Sequence, residues 1–546
     1  METNFMGQEN FVMTPLTRME IVWSSAILGE PQYYREPKNA LPNQIHSTCL
    51  YQELKNKSVE DIFIESLKEA LDYDFEAVLR FAVRLRNESF MRLGPQIIIV
   101  EAALHVSRAK FNKENPKLFR QLANECIKIP TDIYSQFEHY LKKSGSKSKL
   151  PGVLKRSWKD SLEKLSIYQA SKYINKAHLV DIIRLCHPRS SQNEIIRTIV
   201  RQEKLCLGDQ EYTWEQLRSQ GKTWLEITQI LGKKFPHMAL LRNLRNLASL
   251  LSQEQLEPVL EILENGVKGG QQFPFRYYTA YQQFLIQSDP KPPSKNAKSF
   301  EWKLYRQKNK NSKDFFFSKH LSKNYSLIRD SLERCMERAL ACLPEIPGHV
   351  VSLCDNSGSA WGAFNSSYGS QTVATIGNLS GLLAALKATK GGKVGLFGDR
   401  LEMYTVNKDR GILEQLEEIN TLGKTVGQKT ENGIWLWFKH AFESKDRSTD
   451  HLFIYSDMQA GHGKLYGSNP TEYQGFRIDS SPYINVIDLI HRHRNQVNPK
   501  LNVFTVQTAG YDNALIPEIL PRTSIMAGWT GNEISYASKM IEIWET

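Results

Sequence analysis

The sequence predicts a multi-domain chain: an all-α helical-repeat half, then an α/β half built on an open, doubly wound, Rossmann-like sheet. Three observations carry this. Over about residues 17–345 apolar side chains recur at helical spacing. Beyond the stretch "LPEIPGHV" (343–350), short strand-like runs alternate with amphipathic helices. The 546 residues also exceed what one ordinary core organises. The expected domains are 1–345 and 346–546.

In the first half, "VEDIFIESLKEALDYDFEAVLRFAVRLR" (59–86), "PQIIIVEAALHVSRAKF" (95–111) and "DSLEKLSIYQASKYI" (160–174) each fit one-faced helices. Short polar joints between segments of helical-repeat size suggest stacked helix pairs, although no strict period is present. In the second half, strands are expected at "HVVSLC", "KVGLFG", "HLFIYSD" and "LNVFTVQT". Helices are expected at "VATIGNLSGLLAALKAT", "GILEQLEEINTL", "GIWLWFKHAF", "INVIDLIHRHRN" and "EISYASKMIEIW". Apolar strands separated by such helices imply a mostly parallel sheet covered on both faces.

Hydrophobic residues make up 41% and charged residues 24%, which excludes wholesale disorder. The seven cysteines contain no C-x-x-C pair, so neither a disulfide framework nor a zinc site is expected. The N-terminus has no signal-peptide pattern and no run of about 18 apolar residues occurs, so a soluble, cytoplasmic protein is expected. A net charge of +11 favours polyanionic partners.

Two runs concentrate that charge. "LKKSGSKSKLPGVLKRSWK" (141–159) holds seven Lys/Arg and no acid, among them Lys142, Lys143, Lys155 and Arg156. Residues 291–323 hold ten Lys/Arg against Glu301 and Asp314, interleaved with Phe300, Trp302, Tyr305, Phe315, Phe316 and Phe317. Cations for phosphates and aromatic faces for bases suit single-stranded RNA. A solvated linker packing its aromatics on a neighbour is the competing reading.

The string "DNSGS" follows the buried run "HVVSLC" and offers one carboxylate and two hydroxyls, from Asp355, Ser357 and Ser359. Such hard oxygen donors suit Mg²⁺ first, with Mn²⁺ or Ca²⁺ as alternatives, and not zinc. Asp457, ending "HLFIYSD", and Thr430, in the loop "GQKTENG", would emerge on the same sheet edge. Placed at the start of an α/β domain, the set resembles the metal-ion-dependent adhesion site of von Willebrand factor A domains. By that resemblance all five residues contact a metal and one position stays open for a partner's acidic group. A D-S turn that merely caps the next helix is the bland alternative. Catalysis is not expected, because no dedicated base lies nearby: His451 and His462 flank the Asp457 strand as surface or packing histidines. "LGKT" (422–425) fails as a phosphate loop, since Glu418 stands where its first glycine belongs.

Three stretches of the helical half resemble the Ro autoantigen family and its TROVE module: "FPHMALLRNLRNLASL" (235–250), "KYINKAHLVDIIRLCHPRSS" (172–191) and "FPFRYYTAYQQF" (273–284). The resemblance implies a ring of HEAT-like repeats joined to the A domain. The ring would take single-stranded 3′ ends of misfolded RNA in its hole and a small structured Y-like RNA on its outer rim. An exoribonuclease such as polynucleotide phosphorylase is the implied partner, and the chain itself would be a binder and no enzyme. One chain closing the ring favours a monomer. On the rim, His187 falls on a family histidine associated with Y RNA, and Lys172, Lys176 and Arg184 lie in the same region. Arg242 and Arg245, three apart on a helix, would present adjacent guanidiniums to phosphates. The rival to this reading is a protein-interaction scaffold that combines a helical solenoid with a metal site.

Overall fold

The structure is a computed structural model that describes residues 2–3, 9–10, 14–24, 59–147, 149–166, 169–170, 178–189, 194–201, 203, 213–285, 319–362, 372–427, 433–456, 486–508, 516, 520–527 and 532–545. Two compact units divide the chain. One comprises 1–211, 345–408 and 416–546, and the other 212–344 with 409–415.

The first unit opens with helices α1 (Pro15–Ser24), α2 (Val59–Tyr73), α3 (Phe75–Asn87), α4 (Gly94–Leu104), α5 (Arg108–Glu114), α6 (Leu118–Cys126), α7 (Pro130–Ser144), α8 (Gly152–Leu162), α9 (Leu179–Cys186) and α10 (Glu194–Val200). The apolar stretch 59–86 is two helices and not one, because Asp74 leaves the helical region and its side chain caps α3 by accepting from Ala77 N at 2.9 Å. The helix expected over 160–174 ends as α8 at Leu162, and part of its remainder lies outside the described residues. Helix α3 packs on α4 and α6, α4 on α7, and α6 on α8, so successive helix pairs stack. A buried polar ladder ties four of them: Trp158 Nε1 donates to Gln136 Oε1 (2.6 Å), Gln136 Nε2 to Gln96 Oε1 (2.7 Å), and Gln96 Nε2 to the Cys126 carbonyl (3.0 Å). Each donor nitrogen of the ladder is thereby returned a partner.

The second unit contains α11 (Trp214–Ser219), α12 (Trp224–Leu231), α13 (His237–Leu250), α14 (Gln253–Asn265), α15 (Pro274–Leu285) and α16 (Lys319–Ala341). Capping boxes start α11, α12 and α14 at Thr213, Thr223 and Ser252. Helix α16 lies against α13, α14 and α15. Its buried Asn324 donates to the Ala248 and Leu251 carbonyls at the end of α13, and Arg334 grips Glu264 of α14 with two nitrogens.

The α/β part follows as β1 (Val350–Asp355), α17 (Gly358–Gly362), α18 (Val373–Lys387), β2 (Gly392–Phe397), β3 (Leu401–Thr405), α19 (Ile412–Gly423), α20 (Gly433–Ser444), β4 (His451–Ser456), α21 (Val486–Gln496), β5 (Asn502–Gln507), β6 (Thr523–Ala527) and α22 (Asn532–Glu545). The sheet order is β3-β2-β1-β4-β5-β6, parallel throughout except for β3. This is the doubly wound, von Willebrand factor A-like arrangement the sequence predicts. Strands β1 and β4 are buried along their whole length, which explains their continuous apolar character. Helix α18 is mostly apolar because it is buried on nearly every side, and it lies on β1 where Gly381 leaves room for Cys354 Sγ. The two strands of this sheet that were not anticipated, β3 and β6, are its edges, and β3 is half-exposed along its length.

Candidate functional site

The chain leaves β1 toward β2 on one side and returns through β4 on the other, so the C-terminal ends of β1 and β4 form the sheet's switch point. Ligands of open α/β sheets bind at that place. Asp355 closes β1 there, 2% exposed, and Ser456 closes β4, fully buried. Asp355 Oδ1 accepts from the Ser357 amide at 3.0 Å, and Oδ2 accepts from Ser456 Oγ at 3.3 Å. Ser357 is itself fully buried.

A buried carboxylate and the Ser456 hydroxyl therefore share one corner, with the buried Ser357 joined to it through its amide, and these oxygen donors suit a hard divalent cation. Ser359 starts within α17, although its side chain, together with Thr430 and Asp457, lies outside the described residues. Among the described residues no group of three or more His, Cys, Asp or Glu side chains collects as a metal cluster. Sequence reasoning missed Ser456. Its signal is faint: a serine directly before an acid at the end of an apolar strand, visible as a donor only once β4 is known to lie beside β1.

His451 is a packing residue. Its ring is buried in β4 between the Pro347 carbonyl and Asn502, and burial holds its pKa below the ordinary value. His462 lies outside the described residues. Thr425 of "LGKT" spends its hydroxyl on the Leu422 carbonyl, closing the end of α19.

The first basic run lies along α7, α8 and the joint between them. Lys142, Lys143 and Arg156 are exposed, and Lys155 is half-buried. Lys143 reaches the buried Glu101 at 3.3 Å, beside His139 at 2.7 Å. Burial works to raise the Glu101 pKa, but these two partners outweigh it and hold the carboxylate below its usual range. Lys147 bonds Asp181 of α9 at 2.5 Å, which lowers that aspartate's pKa and places the basic joint against the start of α9. Lys155 is near enough to Cys186 to oppose the burial that pushes its thiol up to about 12.

At the other end of α9, Arg184 and His187 are exposed. His178 and His187 bracket the helix in left-handed conformations, at φ 69° and 48°. His187 donates its own N–H to the Ile183 carbonyl, ending α9 and turning the chain outward. The folded chain thus brings the 141–159 run and the 178–189 segment together, a proximity no sequence spacing announces. Lys172 and Lys176 lie outside the described residues. So does 291–318, the greater part of the aromatic-basic run, and the side chains of 319–323 are not described.

In the second unit, Arg242 is exposed on α13, whereas Arg245 is half-buried and desolvation lowers its pKa. The two guanidiniums therefore have unlike environments despite their three-residue spacing.

A model of the TROVE domain family matches residues 203–348. That span includes the stretches 235–250 and 273–284, but not 172–191. No curated protein matches. Among solved structures, the Deinococcus radiodurans Ro (RSR) protein is similar at a TM-score of 0.54 and 12% identity, over 88% of this chain and 93% of that one. The likeness in structure is one of fold and covers both halves of the chain, while the family match rests on the helical half. The chain thus carries a TROVE-domain match over 203–348 and shares the fold of a Ro protein.

Proposed function

We propose that this protein binds RNA in the manner of a Ro-type quality-control factor. A small structured, Y-like RNA would lie on the basic surface of α7, α8 and α9, and single-stranded 3′ ends of misfolded RNA would be taken by the helical half. The observation that carries the reading is the convergence of Lys142, Lys155, Arg156, Arg184 and His187 on three adjacent helices of a chain that shares the fold of a Ro protein. Phosphate binding sums many modest charges and needs no single sharp motif, so a distributed surface of this kind suits recognition by shape. The protein would act in the cytoplasm as a monomeric binder, passing RNA to an exoribonuclease such as polynucleotide phosphorylase, with no catalysis of its own.

The second element of the proposal is a divalent cation, Mg²⁺ before Mn²⁺ or Ca²⁺, held by Asp355, Ser357 and Ser359 with Thr430 and Asp457. When bound, the ion would offer a coordination position to an acidic group of a partner protein. Asp355 and Ser357 are hard oxygen donors fixed on rigid structure at the switch point, which supports this assignment.

Sequencing of RNA crosslinked in native cells, with the crosslinked peptides mapped, tests the reading. Enrichment of one or two small stem-loop RNAs at peptides spanning 142–189, with 3′-tailed fragments elsewhere on the helical half, is the expected result. Absence of enrichment above background would favour the scaffold reading, for which the metal corner would be the partner site. Salt separates the two independently: contact with six or more phosphates weakens binding by orders of magnitude between about 50 and 200 mM salt.

A further inference from the structure

The residue between Asp355 and Ser357 is held by buried amide contacts on the side of α18. Asn356 is fully buried. Its Nδ2 donates to the Cys354 carbonyl (3.0 Å) and to Asn378 Oδ1 (2.8 Å). Asn378, also fully buried, returns a bond from its own Nδ2 to Asn356 Oδ1 (2.9 Å), and the same nitrogen reaches Asn420 Oδ1 (2.9 Å). Three amides thus form a ladder from the strand-end turn, through α18, to the last turns of α19.

The end of α19 is tied to this turn in two further ways. Gly423 lies so close that a Cβ there would overlap Asn356 Oδ1, so only glycine lets α19 approach. Lys424 places its ammonium over the Trp361 ring of α17, 5.2 Å from the centroid. One helix end therefore holds both the Asp355–Ser357 turn and the short helix that carries Ser359. The chain running on from that helix end carries Thr430 six residues after Lys424.

A buried amide ladder of this kind is costly to leave half-made, because each buried donor or acceptor deprived of its partner loses water as well. Apolar side chains would pack α18 on β1 without that risk. The ladder's specific effect is directional: it fixes the rotation of Asn356, and through one peptide unit on each side it fixes where Asp355 and Ser357 point.

We propose that Asn378 and Asn420 are positioning residues for a hard divalent cation, holding the Asp355–Ser357 turn against the end of α19. This rests on the metal reading above. Partners that orient metal ligands typically change affinity by about tenfold to a hundredfold when removed.

The test is calorimetric titration of the full chain with Mn²⁺, well below its melting temperature, for the wild type, Asp355→Ala, Asn378→Leu, Asn420→Ala and Leu382→Ala. Leu382 is a fully buried core residue of the same helix and belongs to no site, so it reports plain destabilisation. The inference expects Asn378→Leu and Asn420→Ala to weaken Mn²⁺ binding by about tenfold or more. Leu382→Ala should lower the melting temperature yet bind Mn²⁺ as the wild type does. Should Asn378→Leu fail to fold, Asn420→Ala decides, since Asn420 is only half-buried. Wild-type affinity in the asparagine variants, or an equal loss in Leu382→Ala, overturns the positioning role and leaves the metal site standing. A wild type that takes up no Mn²⁺, or an Asp355→Ala chain that binds it unchanged, removes the metal site and the inference together.

Discussion

Ser456 Oγ donates to Asp355 Oδ2 at 3.3 Å, joining the ends of two adjacent parallel strands that lie 101 residues apart in sequence. The carboxylate most suited to a cation is thus held by the strand beside it as well as by its own turn.

Asp355→Ala is expected to abolish divalent-cation binding in calorimetry and to leave RNA affinity nearly unchanged. The oxygen donors sit at the C-terminal ends of central strands, whereas the basic residues are on α7, α8 and α9. Unchanged metal binding would reject the site, and a large loss of RNA affinity would reject its separation from the RNA surface.

His187→Ser combined with Lys172→Ala should weaken binding of a structured RNA more than that of a single strand. His187 and Arg184 stand exposed at the end of α9, beside the basic joint that Lys147 ties to Asp181. Gel-shift titrations at fixed salt check this, and equal losses for both RNAs would contradict a surface specific for structured RNA.

Asp132→Ala should cost about 3–5 kcal/mol, because it strands the buried Arg86 guanidinium. Asp132 is 2% exposed, receives Arg86 Nη2 at 2.9 Å, and also accepts the Lys128 and Ile129 amides ahead of α7. Urea denaturation followed by far-UV circular dichroism measures the loss. A midpoint unchanged from wild type would mean that the pair and the cap contribute nothing.

Acid should destabilise the α/β part through His493. Its ring is fully buried, stacks on Trp437 at 5.5 Å between centroids, and touches Phe438 and Phe442. Among the described residues neither ring nitrogen has a hydrogen-bond partner. Burial, followed by the neighbouring Arg494 charge, lowers the pKa to about 4. The unfolded chain, titrating near 6.5, therefore binds the proton first. Stability is full above about pH 6.5 and falls as pH drops toward 4, by at most about 3 kcal/mol. His493→Leu should flatten that slope in urea midpoints measured between pH 4.5 and 7, and an unaltered slope would assign the acid sensitivity to other groups.

The alternation of apolar runs with amphipathic helices was sufficient to predict the doubly wound sheet, because a strand buried on both faces must be apolar throughout and β1 and β4 are. Edge strands escape that logic. Half-exposed β3 carries "LEMYT", which has no such signature. Helix boundaries were equally hidden where a single side chain decides them, as Asp74 does between α2 and α3.

The sequence by itself determined the two periods, the basic excess and the placing of Asp355 and Ser357 at a strand end, since each follows from local pattern or composition. Only the tertiary structure decided which distant residues join them. Ser456 reaches Asp355 because β4 pairs with β1. Lys147 reaches Asp181 because α8, which follows the basic joint, packs on α9. Asn378 and Asn420 reach Asn356 because α18 and α19 both converge on the end of β1. The physical reason is common to all three. A hydrogen bond or ion pair is a short-range contact, and its partner is chosen by how hydrophobic surfaces bring elements together, which no spacing along the chain records.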